Sequence, residues 1–559
     1  MRSGKEIRAI FWFVSALFII FLILPVLFVL IQSFRTDIGV GFGRYIDVFT
    51  SNGFLEALGN SFLVSAVSGV ITVIVAFILA YTVNNTNIPE RLKKIISSVT
   101  VFPMLLPTIT YGFAIIYSFG KQGLITNILG FAPFDIYGFK GLVIGYVIYT
   151  LPIAFLLINN TFKYIDKKFI VVSRLMGDNK FGTFFITCIR PLMGTLGAAF
   201  IQSFFLSFTD FGIPAAIGGE FEVVATVLYN EMLGSVPNFN NGAVVAVVML
   251  IPSALSILLL NYLEKFNFRY NKTGEVEIER SRIRDIVCAA LSIAILICAL
   301  SIFLVIAIIP FVEMWPYRLG FSLEHITSLF TDDSLLSIYV NSLIAATLTA
   351  VFGTILAYGA ALVTSRSRIS NKCKQIIESM ALVINTIPGM VLGIAFMLSF
   401  SGTAAQGSMF LIVICNIIHF FSTPYLMMKN SLSKMNESWE TTAMLMGDSW
   451  VKTIVRIVTP NAGYTILEVL SYYFVNAMVT ISAIIFIVGP HTMVITTKIK
   501  ELQHYAKFDD IFALSLLLLV TNAAIKGIFN LLAKKKTAKK KADKKANIEN
   551  INEKGVVLS

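Results

Sequence analysis

The sequence predicts an all-α polytopic membrane protein with about 12 transmembrane helices in two parallel six-helix repeats, and with both termini cytoplasmic. Three observations predict it. The mean hydropathy is +0.80 and only 14% of residues are charged, which is too apolar for a soluble chain of 559 residues. Apolar runs long enough to cross a bilayer recur along the whole chain; about 20 residues are needed, because lipid offers no partner to backbone N–H and C=O groups. Finally, an ordered set of short motifs occurs twice.

The twelve runs lie near residues 10–34, 61–83, 98–119, 141–160, 191–209, 240–263, 286–312, 339–363, 377–400, 408–428, 462–488 and 510–533. The first has the basic flanks of a secretory signal (Arg2, Lys5, Arg8), but its length and the lack of a small-residue cleavage site predict a retained helix. Lys and Arg number 26 over the amino terminus and every second loop, against 8 over the intervening loops. That imbalance puts both termini in the cytoplasm. The net charge of +12 is mostly this topology signal. The basic stretch Lys534 to Lys545 belongs to it, as a solvated tail near anionic lipid rather than an arm for nucleic acid. The expected division is a first half (1–263), a cytoplasmic linker (264–285), a second half (286–533) and a basic tail (534–559).

The halves share four features in the same order. Asn60-Ser61 and Asn341-Ser342 open the second and eighth runs, which close on Leu79-Ala80-Tyr81 and Leu356-Ala357-Tyr358. Next come LPTITYGFA and IPGMVLGIA, both Pro, four residues, Gly, one residue, Ala. Then LMGD occurs around Gly177 and again around Gly447. Six helices per half is an even number, so the halves enter the membrane in the same direction, with a path placed most simply between them.

Both LMGD turns fall in loops that the charge count makes cytoplasmic. Each is flanked by helical patterns, FIVVSRLM and FGTFFITCI in the first copy, ETTAMLM and WVKTIVRIV in the second. Glycine allows the sharp bend and aspartate is suited to cap the next helix, so each loop is expected to be a rigid helical hairpin that offers itself to a partner.

The second copy, GDSWVKTIVRIVTP, resembles the coupling loop of permease subunits in bacterial ATP-binding-cassette importers, whose pattern is Glu-Ala-Ala, three residues, Gly, nine residues, Ile, any residue, Leu-Pro. Gly447, Ile457 and Pro460 match that spacing, and Ala443 falls on the second alanine. Thr441 and Thr442 replace the first two positions, with Glu440 one place early. In the first copy Gly177 and Pro191 stand one residue further apart, and Val171-Val172-Ser173 replaces Glu-Ala-Ala. SFTDFGIPAAIGG (207–219) and FVNAMVTISAIIFIVGP (474–490) are similar to the fused permeases of ferric-iron and 2-aminoethylphosphonate importers.

The resemblance implies an inner-membrane, multi-pass permease subunit. Two copies of a cytoplasmic ABC ATPase would dock on Met176, Gly177, Asp178 and Pro191, and on Glu440, Ala443, Met446, Gly447, Asp448, Ile457 and Pro460. It also implies an extracellular or lipid-anchored solute-binding protein, and ATP and magnesium held by the partner ATPase rather than by this chain. No GxxxxGK[ST] loop occurs in the sequence, which agrees with that division of labour. Five cysteines without CxxC spacing and four scattered histidines suggest neither a disulfide framework nor a metal site.

Polar groups at membrane depth are few. Ser207 and Asp210 lie near the outer end of the fifth run, before a loop with Glu220, Glu222 and Glu231 and no Lys or Arg. Asn476, Thr480 and Ser482 stand at the equivalent level of the eleventh run, with Asn476 and Thr480 expected on one helical face. These five are the candidate lining of the path, with no metal site and no catalytic residue. An ion- or proton-coupled secondary transporter is the alternative. It predicts ionisable groups inside the membrane, and apart from Glu468 and Asp210 the runs are nearly bare of them.

Overall fold

Proline decides where the apolar runs bend, and the bends place everything else. The computed structural model describes residues 5–37, 39–51, 53–132, 134–166, 168–263, 265, 281–436 and 438–556; most of the expected linker, 264 and 266–280, lies outside the described residues. The first half consists of α1 (Lys5–Ser33), with a π turn at Ile19–Ile23, the antiparallel pair β1 (Arg35–Thr36) and β2 (Gly39–Val40), then α2 (Phe54–Asn85), α3 (Glu90–Val101), α4 (Thr108–Phe119), α5 (Phe139–Phe162), α6 (Lys168–Leu175), α7 (Lys180–Thr209), α8 (Gly212–Ile217), α9 (Val224–Leu233) and α10 (Phe239–Leu263). The second half follows the same course, with two helices in place of α5 and none in place of α8: α11 (Arg282–Ile308), the antiparallel pair β3 (Val312–Met314) and β4 (Arg318–Phe321), α12 (Asp333–Ser365), α13 (Asn371–Ile384), α14 (Gly389–Phe400), α15 (Met409–His419), α16 (Ser422–Ser433), α17 (Ser438–Leu445), α18 (450–479), α19 (Ile495–His504) and α20 (Phe508–Val556).

Among the described residues eight unbroken helices are long and apolar enough to cross a membrane, and three bent pairs bring the number to eleven at most. Three expected runs are therefore corrected to broken ones. Run 98–119 bends by 108° between α3 and α4, and run 377–400 by 105° between α13 and α14. A residue before proline is driven out of the helical region. Leu106 before Pro107 is accordingly extended, with ψ near 149°. Irregular backbone at membrane depth survives only where protein satisfies it. Here the Tyr111 hydroxyl donates to the Pro103 and Leu106 carbonyls, and the Asn522 amide of the other half donates to Leu105 O at 2.9 Å. Run 408–428 also divides, by 56° between α15 and α16.

The expected eleventh run, 462–488, is corrected as well. α18 stops at Val479, Thr480 turns extended, and 480–494 contains no helix. This segment is as apolar as a span because it is buried against α14, so hydropathy could not tell it from one. A Cβ on Gly393 would stand 2.3 Å from Ala483 O.

The two halves exchange their first helices. Phe18 of α1 meets Phe421 of the second half, with ring centroids 4.7 Å apart, and Phe303 of α11 meets Phe102 and Tyr111 of the first at 5.5 and 5.8 Å. One apolar core containing residues of both halves results. A smaller one includes Leu79, Ile96, Phe155 and Leu192 of the first half together with Leu296 of α11.

The repeated Asn-Ser pair has a defined task. The Val224 N–H at the start of α9 donates to Ser61 Oγ at 2.8 Å, and the Ile495 N–H at the start of α19 donates to Ser342 Oγ at 2.8 Å. Asn60 donates to Glu222 O, and Asn341 to His491 O and Met493 O. Each pair thus ties the start of a short helix to a long one, satisfying an amide that would otherwise be buried without a partner. Ser61→Ala and Ser342→Ala should each cost about 1–3 kcal/mol, visible as a lower melting temperature of the purified protein.

Candidate functional site

Two structures stand out at opposite ends of the bundle: a pair of hairpins, and a pair of helix breaks near the pseudo-twofold axis. In the hairpins, Gly177 has φ +88° and Gly447 φ +84°, the left-handed region that favours glycine. The chain closes back on itself through Asp178 N–H to Ser173 O at 3.2 Å and Asp448 N–H to Ala443 O at 2.9 Å. Ser173 and Ala443 are buried, while the tips are bare: Leu175 is 82%, Met176 80%, Leu445 84% and Met446 73% exposed.

Asp178 and Asp448 do not cap the following helix as expected. Asn179 does so in the first copy, accepting from Gly182 N–H at 2.6 Å, and Ser449 in the second, accepting from Lys452 N–H at 3.3 Å. Asp178 instead accepts from the Ser173 hydroxyl at 2.6 Å, and Asp448 pairs with Lys452 one turn on.

Pro191 and Pro460 stand in the first turn of the long helical stretches that follow, each preceded by a five-residue π turn, Phe185–Ile189 and Ile454–Val458. Proline has no N–H to give to the preceding turn, and the widened turn accommodates the missing bond. Ile457 lies half-buried within the second of them. The extra residue between Gly177 and Pro191 lengthens the helical piece before the π turn, Lys180–Phe184 against Trp450–Thr453.

Glu440 carries a role its displaced position did not suggest. It forms a two-pronged ion pair with Arg366 at the end of α12, Nε to Oε1 at 2.6 Å and Nη2 to Oε2 at 2.5 Å. Arg366 also donates to Met435 O and Asn436 O. Its side chain is 1% exposed. The equivalent place in the first half is bordered by Asn85 and Ile170 around a small gap, and no ion pair fills it among the described residues. The second hairpin is clamped to the bundle by charge, and among the described residues the first shows no such pair.

At the opposite end, α7 breaks after Thr209 and α18 after Val479. Asp210 is buried and turned inward, accepting from Ile213 N–H at 2.9 Å and from the Thr108 hydroxyl. The two breaks solve one packing problem in opposite ways. A Cβ on Gly212 would strike Thr108 Oγ1 at 2.2 Å, whereas a Cβ on Gly389, the counterpart of Thr108, would strike Ser482 Oγ at 2.6 Å. Each half therefore has room for one hydroxyl between α4 or α14 and its break, supplied from the opposite side.

Of the other candidates, Ser207 is buried with no hydrogen bond, and Asn476 donates to Tyr472 O at 2.7 Å. Thr480 lies past the helix end rather than on its face, its carbonyl accepting from Thr496. Glu222 and Glu231 line a cavity of about 210 Å³ formed wholly by the first half. No group of three metal-ligating side chains occurs among the described residues.

Two like halves with exchanged first helices, a paired set of hairpins at one end and broken helices between the halves define the transmembrane component of a transport system. The chain belongs to the binding-protein-dependent transport system inner membrane component family, which it matches twice, over residues 72–269 and 350–537. It is a fused, two-half, multi-pass member of an inner membrane. It is similar to the ferric transport system permease protein FbpB 1 of Haemophilus influenzae, 25% identical over 88% of this chain and 80% of that one. It is likewise similar to the ferric transport system permease protein FbpB of Actinobacillus pleuropneumoniae, 24% identical over 94% and 78%. The molybdenum transport system permease protein ModB of Azotobacter vinelandii matches 30% of this chain and 73% of its own at 30% identity.

Proposed function

We propose that this chain is the permease subunit of an ATP-driven importer, working by alternating access, with two copies of a cytoplasmic ABC ATPase seated on its hairpins. The observation that carries the proposal is the matched pair of tips, Leu175-Met176-Gly177 and Leu445-Met446-Gly447, apolar and bare at the same place in each half. Exposed apolar groups rimmed by charge mark a partner surface. The hairpin end is the cytoplasmic one by the distribution of Lys and Arg, and the termini lie there too. A solute-binding protein, extracellular or lipid-anchored, would deliver to the other end. Ferric iron is the first solute to test, because the relatives that match 88% and 94% of this chain are named for it; an organophosphonate such as 2-aminoethylphosphonate is the second.

Valine at a positive φ strains the turn without touching a neighbour, since a Cβ at either glycine meets nothing within 4 Å. Gly177→Val with Gly447→Val is therefore expected to leave the bundle folded and to abolish co-purification of the ATPase encoded beside this chain. Full retention of both ATPase and uptake in the double variant would overturn the docking assignment.

A further inference from the structure

The two short helices α9 and α19 are equivalents. Both have ten residues, both begin at an N–H held by the serine of an Asn-Ser pair, and both place a threonine, Thr226 or Thr497, to accept from the N–H of the preceding valine. The sixth residue is Tyr229 in α9 and Lys500 in α19. These two equivalents touch: Lys500 Nζ lies 5.7 Å from the centre of the Tyr229 ring and 5.9 Å from that of Phe211. In a twofold arrangement a residue meets its own counterpart only at the axis, so Tyr229 and Lys500 mark where the axis passes, at the end opposite the hairpins.

The surroundings of Lys500 are unusual for a cation. Phe211 and Tyr229 stack at 4.7 Å, and Phe486 of the second half closes on Tyr229 at 6.4 Å. Lys500 donates to Gln503 Oε1 at 2.9 Å, and Gln503 reaches across the halves to Ala215 O at 2.8 Å. Among the described residues no carboxylate pairs with Lys500. Lys498, two residues away, has taken Glu501 as its partner. Burial holds the Lys500 ammonium below its usual range, as expected of a charge offset only by aromatic faces and one amide. A positive charge kept on the axis without a counter-ion is a structural cost that a passing anion would offset.

Resting on the importer proposal above, we infer that Lys500 is the charge-selecting residue at this end of the path and that the solute passes it as an anion. The chemistry is that of an oxyanion, or of a ferric ion enclosed in an oxyanion complex rather than a bare cation. Tyr229, Phe211 and Phe486 form the apolar collar that keeps water from screening the charge.

Two measurements on the full chain test this. In a Tyr229→Cys variant, the rates of modification by a negatively and a positively charged methanethiosulfonate are read at position 229 by mass spectrometry, with Lys500 intact and with Lys500→Gln. The anionic reagent should be favoured when Lys500 is present, and the ratio of rates should fall at least about tenfold without it, as expected of a unit charge a few ångströms away in a half-buried site. An unchanged ratio, or no reaction with either reagent, overturns the inference.

In the second measurement the protein, its ATPase and its binding protein are placed in liposomes and offered 2-aminoethylphosphonate or citrate-chelated ferric iron. Lys500→Gln should cut uptake of whichever is carried at least about tenfold while ATP hydrolysis persists, and Lys500→Arg should restore it. Wild-type uptake by Lys500→Gln overturns the inference and leaves the importer proposal standing. Failure of the wild type to carry either solute counts against the solutes proposed, and the thiol ratio then decides the role of Lys500 alone.

Discussion

Glu440→Ala is expected to free the second hairpin and to cost about 3 kcal/mol, because it strands a guanidinium whose side chain is 1% exposed. Arg366 would keep its bonds to Met435 O and Asn436 O but lose both carboxylate contacts. The effect should be local: faster amide exchange over 438–448, a lower melting temperature, and no change around Gly177. Replacing both partners, Arg366→Met with Glu440→Leu, should recover most of the stability, since two apolar groups of similar size do not carry the desolvation cost of one lone charge. A Glu440→Ala protein as stable as the wild type, with an equally protected hairpin, would show that the pair contributes nothing.

The second large effect is expected at Gly393. Alanine there would bring Cβ to 2.3 Å from Ala483 O, and at Gly112 to 2.3 Å from Ala216 Cβ. Overpacking of this kind typically costs about 1–3 kcal/mol. Gly393→Ala should lie at or beyond the top of that range, because the obstacle is a backbone carbonyl fixed in the 480–488 segment. Gly112→Ala should be the milder change and should be rescued by Ala216→Gly, which removes the colliding atom. No side-chain change can rescue Gly393→Ala in the same way. Melting temperatures of the four proteins check this, and a Gly393→Ala protein unaffected where Gly112→Ala is destabilised would contradict it.

Much of this architecture was legible in the residues. Hydropathy found the eight unbroken spans, and the repeated Asn-Ser, Pro-x4-Gly-x-Ala and LMGD motifs paired the halves. What hydropathy could not see was irregular backbone buried by protein, since a window over 462–488 reads the same whether the chain continues as helix past Val479 or leaves it. The bends had a signal in Pro107 and Pro388, which sequence comparison treats as marks of repetition although proline also excludes helix from the residue before it. Ser61 and Ser342 gave no clue to their partners, because Val224 and Ile495 lie more than 150 positions away. The Arg366–Glu440 pair was hidden for the same reason: a contact over 74 positions leaves no local pattern. At the hairpins the turn was predictable from glycine, whereas the cap was assigned one residue too early, to Asp178 and Asp448 rather than Asn179 and Ser449.

The meeting of Tyr229 with Lys500 bears on why one chain holds both halves. Two identical half-length subunits would confront like with like along their shared axis, so a lysine at the sixth position would face another lysine and repel it, and a tyrosine would face only a tyrosine. Joining the halves in one polypeptide lets the two copies drift apart in sequence, and a single charge can then stand at the centre of an otherwise symmetric machine.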